Sequence, residues 1–260
     1  MEKSAHARPI LAAAPTQLRD IPVQDALIAH LAYRLEDGPK LYRSTAPEEI
    51  HGGILAVDDT PLKHIGNCQF LCRQAVRECR ARGAIGLFAN WSRKPSQEMA
   101  RLTAELEQAL MDADLLLWVP EVYANCVRQG NILISSAISG GSLKQRLSDA
   151  AACYHPRRVT LAVERMAEDF LLPARNGCGS PLSRQQLQER IRTLHPSVYY
   201  SAELCAHYFT YSKNGQLHFV LFDTYGSLRK KWHLASQLGL PYILFAWQEV
   251  CDGVQELFAP

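Results

Sequence analysis

At 260 residues, with 47% hydrophobic and 21% charged residues, the chain is long and apolar enough for one large α/β domain with a full core. The formal net charge of +2 comes without a long basic or acidic run, which argues against nucleic acid as a partner. The apolar patch at 10–14 is broken up by Arg8 and Pro9 just ahead of it, too short for a signal peptide. Nothing downstream approaches the roughly 18 apolar residues of a membrane span, so a cytoplasmic protein is expected. Its eight cysteines are then reduced thiols rather than a disulfide scaffold.

Short apolar runs alternate with longer amphipathic stretches, the rhythm of a parallel sheet with helical crossovers. The first expected strand is 27–33 (LIAHLAY) and the second is 53–57 (GILAV), closed by Asp58 and Asp59. Apolar spacing predicts a helix over 67–82, where His64, Cys68 and Cys72 recur at i, i+4, i+8. Such a face could hold a metal ion, but further ligands are not identifiable, and buried thiols on a core-facing helix are the favoured reading; no metal is expected. A strand at 84–89 (AIGLFA) and a helix at 96–111 with Ser96 as its cap follow. Strands are expected at 115–119, 132–137 and 159–163, and helices at 142–154 and 183–193, the latter capped by Ser183.

Later, Lys213-Asn214-Gly215 marks a hairpin turn between 208–211 and 217–222. A helix at 227–238 stopped by Gly239, then a last strand at 242–247 (YILFAW), complete the chain. The count gives seven or eight core strands plus a hairpin, which reads as a single α/β domain, a (β/α)8-type TIM barrel over 1–260. One early strand is unaccounted for between Val57 and Ala84, which leaves closure of the barrel open.

The run VTLAVERMAEDFLLP from Val159, the segment HYFTYSKNGQLHFVLFDTYGSLRKK with Phe222-Asp223 and Ser227 to Lys231, and the final LFAWQE with Trp247 carry a resemblance. Over about the last 100 residues the chain resembles family 18 glycoside hydrolases, particularly the spore-germination type, and over the rest only the strand rhythm does. The resemblance implies a barrel whose fourth strand ends in D-x-x-D-x-D-x-E, a small α+β hairpin insertion at about 174–224 before the last helix, and a Trp after the last strand at the barrel floor. In that chemistry the sugar's own 2-acetamido oxygen attacks the anomeric carbon, while the glutamic acid protonates the leaving oxygen.

The matching strand here is GAIGLFANW: Asn90 takes the acid's place, and Phe88, Gly86 and Gly83 take those of the aspartates. Asp-x-Glu occurs nowhere in the chain. An amide cannot give up a proton as a general acid must, so the family's mechanism does not carry over. The expected function is a catalytically degenerate family 18-like barrel that binds a chitin- or peptidoglycan-like glycan or serves as a structural partner, without a cofactor. The alternative is an active glycoside hydrolase with relocated acids. Carboxylates expected near strand ends are Asp58, Asp59, Glu121, Glu164 and Glu249, with Glu168 and Asp169 in the loop after 163. Glu121, Glu164 and Asp58 are the catalytic candidates under that alternative, and solvated or ion-paired loop carboxylates the blander reading. Asn90, Trp91, Tyr123, Trp247 and Glu249 are the expected ligand-binding residues; Trp118 joins the aromatics that could stack on sugar rings or else simply pack. The turn Ser139-Gly140-Gly141-Ser142 could offer amides to a phosphate, though a tight turn capped by Ser142 is favoured.

Overall fold

The computed structural model describes residues 6–22, 25–37, 40–44, 50–60, 65, 67–173 and 179–258. In chain order the strands are β1 (Arg8–Ala13), β2 (Leu27–Glu36), β3 (Lys40–Arg43), β4 (Ile54–Asp58), β5 (Gly86–Asn90), β6 (Leu116–Pro120), β7 (Asn131–Ser135), β8 (Val159–Val163), β9 (Ala167–Leu172), β10 (Ser180–Pro181), β11 (Tyr199–Ser201), β12 (Ala206–Lys213), β13 (Gln216–Phe222) and β14 (Tyr242–Ala246). The helices are α1 (Cys68–Arg82), α2 (Gln97–Met111), α3 (Leu143–Tyr154), α4 (Arg184–Leu194), α5 (Tyr225–Gln237), α6 (Trp247–Val250) and α7 (Val254–Leu257).

Eight parallel strands run β1-β2-β4-β5-β6-β7-β8-β14, and β14 returns to pair with β1, closing a TIM barrel; β3 hangs antiparallel on β2. The strand that completes the barrel is β1, not one between Val57 and Ala84. β4 pairs directly with β5, from Ile54 opposite Gly86 to Asp58 opposite Asn90. Thus 27–33 belongs to the second barrel strand, and the apolar patch near the start is the first.

Inward side chains follow the two-residue pleat. Ile10 and Ala12, Leu27 and Ala29, Ile54 and Ala56, Phe88, Trp118 and Leu133 fill the barrel. The opposite faces, among them Leu11, Leu55, Leu87, Leu117, Ile132, Leu161 and Phe245, pack under the helices. Helix starts follow local chemistry: the side chains of Asn67, Ser96, Ser142 and Ser183 each accept a backbone N–H three residues on.

A second, antiparallel sheet ordered β10-β9-β13-β12-β11 stands between β8 and α5. It starts at Ala167, earlier than the expected 174, a position outside the described residues. Glu168 and Asp169 are therefore strand residues in this sheet, not loop carboxylates. The hairpin turns at Asn214 and Gly215, both with positive φ (52° and 72°), a two-residue turn whose twist suits a hairpin. One buried ion pair joins this sheet to the barrel. Lys231 Nζ of α5 lies 2.7 Å from Asp223 Oδ2, which also accepts the Met166 N–H, while the Ser227 hydroxyl donates to Asp223 Oδ1.

Candidate functional site at the barrel mouth

The C-terminal ends of the barrel strands surround a cleft of about 510 Å³. Its walls are apolar at Ala12, Leu31, Phe88, Leu133, Leu244 and Ala246, and its polar groups are Asn90, Ser135, Glu121, Glu164 and Glu249. A second cleft of about 360 Å³, containing Tyr42, Arg34, Asp58 and Thr60, adjoins it, with Leu31 and Asn90 common to both. The two clefts meet at Leu31 and Asn90, on the face where such barrels carry their sites.

Pleat parity puts Asn90 here. It is two residues beyond inward-facing Phe88 and lies in register with Asp58. Among the described residues the Asn90 amide has no hydrogen-bond partner and is half-buried, so it stands open to a ligand. The Asp58 carboxylate accepts the Thr60 N–H at 2.7 Å. Asp59, one residue on, points outward and is fully buried. It accepts the Ser92 N–H and hydroxyl and the Arg93 N–H, fastening the loop after β5 and leaving the mouth to its neighbour.

Glu121 sits on the rim and is paired with Arg146 at 2.6 Å. Glu164, the residue after β8, accepts the Ser135 hydroxyl at 2.6 Å, and Glu249 of α6 accepts the Arg165 N–H at 2.9 Å. Burial raises the Glu249 pKa above its ordinary value; the Arg165 N–H opposes this, and the charge of Glu164 adds to it. A raised folded-state value means that the folded chain holds this proton more tightly than the unfolded chain. The favourable contribution is therefore present below the unfolded value, near 4.5, and is lost as pH rises through the folded one. Glu249→Gln is neutral at every pH. Urea unfolding should find it more stable than the parent at pH 7 to 8, with the gap closing as pH falls through the folded value and gone below about pH 4.

The expected aromatic platforms are elsewhere. Trp91 follows inward Asn90 and Trp247 follows inward Ala246, so each faces outward; both are buried under the helices, and the Trp91 indole donates to Thr103 Oγ1. Trp247 therefore does not form the barrel floor, a place the alternation gives to Ala246. Tyr123 is fully buried and donates its hydroxyl to the Arg93 carbonyl. Trp118 points into the barrel, packed edge-to-face on Tyr242 below the mouth. The exposed ring at the depression is Tyr42, with the Arg34 guanidinium 4.3 Å from its centre. Sequence reasoning missed it because β3 is short and mostly polar. Ser135 was also missed, although its two-residue spacing from Leu133 signals the same inward face.

The other expected sites resolve into structure. Cys68 and Cys72 are buried in the core, and burial pushes the Cys72 thiol up to about 12; His64 lies outside the described residues. Ser142 caps α3, accepting the Gln145 N–H, and the next amide, Leu143 N–H, donates to the Glu203 carbonyl. Asp169 is held by Arg190, Tyr211 and His218 inside the second sheet. No described helix is long and apolar enough to cross a membrane.

No family model and no curated protein matches the chain. Solved structures do. The spore cortex-lytic enzyme SleL of Bacillus megaterium superposes with a TM-score of 0.64 at 11% identity, over 94% of this chain and 71% of that one. A chitinase from Chromobacterium violaceum gives 0.65 at 14% identity, over 96% and 99%. The GH18 chitinase of Cycas revoluta in complex with (GlcNAc)3 gives 0.60 at 13% identity, over 96% and 98%. The chain therefore has the barrel fold of family 18 glycoside hydrolases, including enzymes of spore cortex lysis.

Proposed function

We propose that the chain is a carbohydrate-binding barrel of family 18 architecture that has lost the family's cutting chemistry, with the mouth depression as its ligand site. One observation carries this reading: the inward positions of β5 are Gly86, Phe88 and Asn90, so no carboxylate stands where the family's acid and its supporting aspartates would project. What remains suits holding a sugar chain. Two clefts meet at Asn90, whose amide has no partner among the described residues, and the smaller one holds the exposed Tyr42. Neighbouring folds include a chitinase holding (GlcNAc)3, which makes an N-acetylglucosamine chain the natural probe.

A second reading, a hydrolase with relocated acids, is favoured by one feature. Glu249, with its raised pKa, and Glu164, whose charge acts on it, hang from neighbouring strand ends in the same cleft. Two carboxyls in unlike environments facing one cleft are the kind of pair that glycoside hydrolysis uses.

Calorimetry and reducing-end assays on chitin oligomers and peptidoglycan fragments separate the two. The first reading expects binding without turnover, weakened about fivefold by Asn90→Ala through loss of one neutral hydrogen bond. Turnover that falls about 100-fold or more in Glu249→Gln or Glu164→Gln overturns it in favour of the second. Neither binding nor turnover leaves a protein-partner role for the barrel.

A further inference from the structure

On the helical exterior, away from the mouth, lies a cavity of about 620 Å³ between α5, the end of α7 and the residue ahead of Ala7. From the residues that line it we propose a second, independent site that binds a phosphate monoester with an apolar ring body.

Its floor is aromatic and fixed. The Trp232 indole donates to the Ala7 carbonyl at 2.8 Å, and its ring meets Phe258 edge-to-face at 5.1 Å and Phe245 at 6.0 Å. Its polar walls are all basic: Arg229, Lys230, His233 and His6, with the two imidazole rings 6.5 Å apart. No aspartate or glutamate lines it.

Some guanidiniums of the chain meet carboxylates, as Arg34 meets Glu36, Arg82 meets Glu78 and Arg146 meets Glu121. Among the described residues Arg229 and Lys230 have none; Lys230 only rests 3.5 Å from the centre of the Tyr200 ring. Cations lining one cavity without a counterion repel one another, and an anion seated among them, drawing the Lys230 ammonium off the Tyr200 ring, relieves that cost. A phosphate monoester presents three acceptor oxygens, enough for the planar fork of Arg229, the ammonium of Lys230 and an imidazole N–H. The ring it carries would lie on Trp232 and Phe258. The volume falls within the ~300–1,000 Å³ range of small-molecule sites.

Phenyl phosphate, inorganic phosphate and phenol are the probes, read by calorimetry and by tryptophan fluorescence. Of the four tryptophans, Trp91, Trp118 and Trp247 are buried, so quenching reports Trp232. Phenyl phosphate should bind saturably and at least about tenfold more tightly than either fragment, because both halves of the site are then used. Arg229→Gln and Lys230→Gln should each weaken it about tenfold, through loss of a charge-assisted hydrogen bond. Both side chains reach solvent, so thermal melting should be unchanged, and chitin-oligomer binding at the mouth should be too. No saturation up to about 10 mM overturns the site, since affinities that weak leave little beyond nonspecific association. So does binding that is indifferent to both substitutions, or phosphate bound as tightly as phenyl phosphate.

Discussion

Lys231→Met is expected to lower the unfolding free energy by about 3–5 kcal/mol, the range for removing one partner of a buried ion pair. The Lys231 and Asp223 side chains are both fully buried, so the carboxylate left behind has no water to replace the ammonium. Asp223 also holds three elements at once. It follows β13, accepts the Met166 N–H at the entry to the second sheet, and takes the Ser227 hydroxyl of α5. Losing the ammonium therefore loosens the junction between sheet and barrel rather than one side chain. Adding Asp223→Asn should restore part of the loss, because a neutral amide is cheaper to bury than an unpaired carboxylate. A double-mutant cycle in urea, with coupling above about 1 kcal/mol, is the expected outcome; additivity would show that the two groups act separately.

This pair also marks how far the sequence could be read. The spacing of Asp223, Ser227 and Lys231 was visible as a family-like pattern, yet its meaning, one buried cluster on the first turns of α5, needed the fold. Where local chemistry decides, the sequence was legible. Asn67, Ser96, Ser142 and Ser183 mark helix starts because each must accept an orphan N–H, and Asn214-Gly215 marks the hairpin because both residues take positive φ. Closure was not legible. β1 is six residues long and buried on both faces beyond Arg8, so it has no polar alternation to announce it. The mouth was half legible. The relation of Asn90 to Phe88 is readable from the two-residue pleat, and the same parity sends Trp91 and Trp247 under the helices, away from the ligand-binding place expected of them. Glu249 was found from its place after the last strand, whereas its raised pKa depends on burial that only the assembled barrel supplies.

Placing acids on β5 asks whether acids there are a matter of two residues or of the whole interior. Phe88 is packed inside the barrel between Ala56 and Trp118 in register, with Leu133 and Ile54 in the same cluster. Phe88→Asp deletes a buried ring, worth about 3–5 kcal/mol by itself, and puts a carboxylate among apolar side chains. The expected result is a loss of more than about 4 kcal/mol in urea unfolding, enough to unfold a domain of ordinary stability. Asn90→Glu, two residues higher and open to the cleft, should cost less than about 1 kcal/mol. The contrast matters for function. If both changes are mild, the barrel has room for acids at these two positions. If the deeper one unfolds the chain, the interior has been repacked around an aromatic ring where a charge-stabilising aspartate would stand. The layer beneath the mouth is then committed to holding the barrel together.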